Sequence, residues 1–112
     1  MPSISEIFES LSSLNIDKRY GIAGSFARGM AKKSSDIDVV IDTDCMSISD
    51  MELIKTTLKS KFNRKSDVIC LGLLKQEDDE LDDLSVSLGL GVNEDSAYKS
   101  ILREVVWCDK VL

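Results

Sequence analysis

Three short apolar runs, Tyr20 to Ala23, Ile37 to Ile41 and Val68 to Leu71, alternate along the chain with segments whose apolar residues recur at helical spacing. Runs of four or five residues rich in branched side chains suit buried strands, whereas the intervening periodicity suits amphipathic helices. Ser3 followed by Glu6 has capping-box spacing, and Ile4, Ile7, Phe8, Leu11 and Leu14 then mark a first helix. Ser25 to Lys33 reads as a short helix. Ser49 followed by Glu52 opens a longer one, with Met51, Ile54, Leu58 and Phe62 on one face and lysines on the other. This order predicts an α/β (α+β) layer structure, a mixed sheet flanked by helices, in one domain spanning 1–112.

Beyond Leu74 the pattern changes. Gln76 to Asp83 holds six acids in eight residues and reads as a solvated loop or a helix start. Leu84, Val86, Leu88, Leu90 and Val92 alternate with serines and glycines, which predicts a strand. Asn93 or Asp95 would cap a last helix through Tyr98, Ile101, Leu102 and Val105, leaving Val106 to Leu112 as an extended tail or helix end.

Composition narrows the chemistry. There is no histidine, which removes imidazole acid-base catalysis, His-containing zinc sites and every Ser-His or Cys-His pair. Cys45, Cys70 and Cys108 are an odd set without metal-ligand spacing, as expected of a reducing, cytoplasmic setting. The amino terminus lacks the basic and apolar regions of a signal peptide, and no apolar run approaches the roughly 20 residues of a membrane span. A net charge of -6 disfavours broad nucleic-acid binding. The basic residues are nevertheless grouped, with Lys55, Lys59, Lys61, Arg64 and Lys65 in the middle of the chain, so a local phosphate site is compatible with the overall charge. Chemistry must run on carboxylates, which suit hard cations such as magnesium.

Thirteen aspartates make an isolated Asp-x-Asp triplet uninformative. Context separates the two present. Asp36 and Asp38, at the start of an apolar strand, project from one face and form a natural site for a divalent cation. Asp42 and Asp44 lie where the strand runs into a polar loop, and Asp42 would sit about 13 Å from Asp38, too far to share an ion. Gly24 ends the first strand and lets the backbone approach a ligand, and Ser25 adds a hydroxyl. No Gly-Lys-Ser/Thr follows, so the turn is not a P-loop.

Gly24-Ser25-Phe26-Ala27-Arg28-Gly29, ten residues between Ser25 and Asp36, and Asp36-Ile37-Asp38 followed by Val39-Val40-Ile41 together resemble the signature of the DNA polymerase β-like nucleotidyltransferase superfamily. More narrowly, the chain is similar to the minimal nucleotidyltransferases, antitoxins paired with HEPN-domain toxins. The resemblance covers about residues 18 to 72, with a weaker echo in Ile101 to Trp107. It implies a third carboxylate on a later strand, and Asp67 is the matching position. It further implies that Asp36, Asp38 and Asp67 hold two magnesium ions, that Gly24, Ser25 and Arg28 hold the phosphates of ATP, and that AMP passes to a hydroxyl of a HEPN toxin. A binding module that neutralises its partner by occlusion, and a transferase acting on an antibiotic or RNA, are the competing readings.

Overall fold

The computed structural model describes residues 2–91 and 96–108. Its elements are α1 (Ile4–Ser12), β1 (Tyr20–Ala23), α2 (Gly24–Ala27), β2 (Ile37–Ile41), α3 (Ile48–Phe62), β3 (Ser66–Cys70), α4 (Leu71–Ser87), α5 (Ala97–Glu104) and β4 (Val106–Trp107). The sheet order is β3-β2-β1-β4. β1 runs antiparallel to both β2 and β4, and β2 pairs in parallel with β3, so the sheet is mixed as expected.

Alternation along the strands sends side chains to two unequal cores. Ile22, Ile37, Val39 and Ile41 pack with Ile7 and Leu11 of α1 and Ile54 and Leu58 of α3, all fully or almost fully buried. On the other face, Ala23, Val40 and Leu71 meet Ile69, Tyr98, Ile101, Val105 and Trp107, which places α5 there. The Ser3–Glu6 capping box forms as predicted, with the Glu6 amide donating to Ser3 Oγ at 3.2 Å.

Four expectations need correcting. The cap of α3 is Ser47 rather than Ser49: its extended backbone lets Oγ accept the Asp50 amide, and Ser49 falls in the first turn. The short helix after β1 stops at Ala27 instead of Lys33, because Gly29 at φ +71° closes it with Met30 N–H donating to Ser25 O. The third strand begins at Ser66, and Leu71 is already the first residue of α4.

The fourth correction is the largest. The acidic run is helical, and α4 continues through Leu84 and Val86 to Ser87, ending at Gly89 (φ +76°) with Leu90 N–H donating to Ser85 O. Leu81, Leu84 and Leu88 also satisfy helical spacing, and no Gly or Pro falls between Leu73 and Leu88, so local propensity overrides the alternation. Val92, Asn93 and Asp95 lie outside the described residues, as do positions 109–112. Ser96 is the cap of α5, its Oγ accepting from the Lys99 amide. Among the described residues no helix is long and apolar enough to cross a membrane.

β4 is held closely. A Cβ on Gly21 would come within 2.6 Å of Val106 O and 2.9 Å of Val105 Cγ2, and the Arg19 guanidinium lies 4.1 Å from the Trp107 ring centroid. Gly21→Ala is therefore expected to push β4 outward and destabilise the fold by about 2 kcal/mol, the usual scale of overpacking. Urea unfolding followed by the emission of Trp107, the sole tryptophan, measures this; an unchanged midpoint would contradict the packing.

Candidate active site

One end of the sheet gathers the predicted residues. Asp38 pairs with Ala23 across β1 and with Asp67 across β3, so a single rung joins the last residue before the glycine turn to two carboxylates. Neighbouring strands lie about 4.8 Å apart, which sets Asp38 and Asp67 side by side on one face. Asp36 is exposed, one residue ahead of β2. Burial, and then the charges of Asp67, Asp36 and Glu104, push the Asp38 carboxyl above its ordinary value, against a lowering influence from Arg28. The rung thus concentrates negative charge that Arg28 only partly offsets.

Gly24 has φ +71°, a conformation that L side chains rarely adopt, and a Cβ there would collide with Asp38 Oδ2. The glycine turn and the carboxylate strand touch directly through this missing side chain. Ser25 is half-buried, and its hydroxyl makes no hydrogen bond among the described residues. Arg28 follows at the end of α2, its side chain 50% exposed.

Sequence reasoning missed Glu104. This last residue of α5 accepts the Gly24 amide on Oε1 at 3.0 Å and Arg28 Nη1 on Oε2 at 2.7 Å. Burial alone would raise the Glu104 carboxyl, but the Arg28 hydrogen bond, the Gly24 amide and the Arg28 charge together hold it below the ordinary glutamate value. One carboxylate therefore fixes both the turn and the guanidinium, which keeps further N–H donors for a ligand. The only sequence signal was an acid closing an amphipathic helix.

Arg64 was also hidden, inside a basic cluster. It is buried, donates from Nη1 to Lys32 O and Ser35 O at 2.8 Å each, and lies 5.3 Å from the Phe26 ring centroid, so it shapes the loop that delivers Asp36. Asp42 and Asp44 lie beyond the opposite end of β2, where Asp44 packs against Gly72.

Among the described residues no three Asp, Glu or Cys side chains converge into a ready-made metal cage. The donor set still fits a hard divalent cation: all oxygen, adjacent on one rung, and repelling until a positive charge arrives.

With this geometry in view, comparison with family models returns one described as a nucleotidyltransferase domain, matching residues 4–108. No significant match was found among curated proteins or solved structures. The chain belongs to the nucleotidyltransferase domain family, and transfer of a nucleotidyl group is its general chemistry.

Glu104→Gln is expected to destabilise the protein by about 1 kcal/mol at neutral pH, since a charged acceptor is lost at a partly exposed site. Because the folded carboxyl is held low, the wild-type advantage exists above the ordinary glutamate range and vanishes as pH falls through and below it. Thermal melts from pH 3 to 7 test this; a constant gap across that range would be inconsistent with the assignment.

Proposed function

We propose that this protein transfers AMP from ATP to a hydroxyl of a partner protein, as a minimal nucleotidyltransferase antitoxin modifying a HEPN-domain toxin. The observation that carries the reading is the register Ala23–Asp38–Asp67 with Gly24 packed on Asp38, which brings the turn and the carboxylates to one point. In this reading the Ser25 hydroxyl and the remaining Arg28 donors orient the β and γ phosphates. Asp36, Asp38 and Asp67 would hold two magnesium ions, which when bound neutralise the triphosphate and stabilise charge developing at the α phosphorus. Asp67 takes the proton of the acceptor hydroxyl. The acceptor oxygen then bonds to the α phosphorus, the bond to the β-phosphate oxygen breaks, and pyrophosphate leaves. Positioning and charge stabilisation supply the rate, so the absence of histidine is no obstacle.

A protein acceptor is supported by α4. Its acidic surface carries exposed Leu81, Leu84, Val86 and Leu88, each more than half accessible, as on a docking face for a basic partner with an apolar groove. That same feature favours the second reading, neutralisation by binding alone. Co-expression with the product of the adjacent gene and intact-mass measurement of that product separates them. Added AMP units that disappear with Asp38→Asn support transfer, whereas a stable complex with an unmodified partner supports occlusion.

A further inference from the structure

The lysines in the middle of the chain play no part in the mechanism above. Lys55 and Lys59, one turn apart on α3, and Lys65, just before β3, line an open cleft of about 590 Å³ together with Asp36, Ser66 and Asp67. β3 is an edge strand, so this cleft lies on the flank of the carboxylates away from the Gly24–Ser25 turn. None of the three lysines is ion-paired among the described residues, although acids outnumber bases 20 to 14 in the chain. Ser66 is buried, and its Oγ has no hydrogen-bond partner. Buried hydroxyls are ordinarily satisfied, so this one points to a missing ligand or solvent partner.

We propose that this cleft is the acceptor subsite, and that it takes an acidic peptide segment whose hydroxyl is flanked by Asp or Glu side chains. The inference rests on the reading that the triphosphate occupies the glycine turn. A nucleotide held there covers the β1 side of the rung, and the open approach to Asp67 is then from β3. Three ammonium groups on flexible stems create a positive rim around the two carboxylates, suited to a segment of several carboxylates rather than one rigid anion.

The test is an amide NMR titration of the full chain with magnesium and a non-hydrolysable ATP analogue, followed by the blocked peptide Glu-Glu-Tyr-Glu-Glu or its Gln-Gln-Tyr-Gln-Gln counterpart. The acidic peptide is expected to shift the Ser60, Lys65 and Ser66 amides saturably, and the neutral peptide to bind about tenfold more weakly or not at all. Combined Lys55→Gln, Lys59→Gln and Lys65→Gln should remove the response while leaving analogue affinity within about twofold. Equal response to both peptides, or none, overturns the proposal. So does loss of analogue affinity in the triple variant, which would assign the cleft to the triphosphate. Saturation by inorganic phosphate but not by the acidic peptide would replace it with a phosphate-bearing acceptor. If the analogue fails to perturb Gly24 and Ser25, the nucleotide reading fails separately, and cleft binding is still measured in its absence.

Discussion

Gly24→Val should abolish nucleotidyl transfer and reduce triphosphate affinity below detection in a calorimetric titration. Two effects act together. The backbone at φ +71° is strained for any L residue by about 1 to 2 kcal/mol, and more for a branched one. The new side chain would also occupy the space of Asp38 Oδ2, so that either the turn or the carboxylate has to move. Because a displacement of about 1 Å at a reacting centre costs on the order of a hundredfold in rate, either response is severe. Gly24→Ala retains the strain and most of the collision, and should fall between wild type and Val. Undiminished nucleotide affinity in a folded Gly24→Val protein would end the assignment of this turn to phosphate.

Asp38→Asn is the second large effect, and it separates activity from stability. Removing one charge from the central carboxylate should lower transfer by roughly three orders of magnitude, the scale expected if it holds a magnesium ion as proposed. Stability should move the other way. The folded protein holds a proton on Asp38 more tightly than the unfolded chain does, because burial and then the Asp67, Asp36 and Glu104 charges disfavour its carboxylate. Wild-type stability therefore declines as pH rises from the ordinary aspartate range through the raised folded value, and an amide escapes that decline. In chelator, the variant should melt at or above the wild-type temperature at pH 7, with the difference shrinking toward pH 4. A variant that melts well below wild type would mean that Asp38 supports the fold, not a cation.

Much of this arrangement was legible in the chain because its signals are local. Ile37 to Ile41 reads as a strand by branched residues alone, and the face shared by Asp36 and Asp38 follows from strand alternation. What stayed hidden depends on distant residues. Nothing near Glu104 says that its carboxylate meets the Gly24 amide, and nothing near Arg64 says that it ties down the loop before Asp36. The stretch from Leu84 to Leu90 misled because helical and alternating patterns both fit a short run of leucine, valine, serine and glycine. The preceding acidic residues decided between them by carrying the helix forward.

The bond from Glu104 to the Gly24 amide spans 80 residues, and this separation governs when the turn acquires its final shape. Contacts among β1, β2 and β3 join nearer parts of the chain, while closing a loop of this length costs on the order of 4 kcal/mol of chain entropy before any contact rewards it. A nascent chain therefore presents its carboxylates before the turn is locked, and acquires a finished site only after α5 has left the ribosome and docked. Pulse-labelled hydrogen exchange during refolding should show the Gly24 amide gaining protection after those of Val39 and Val40; simultaneous protection would mean that α5 docks as early as the sheet forms.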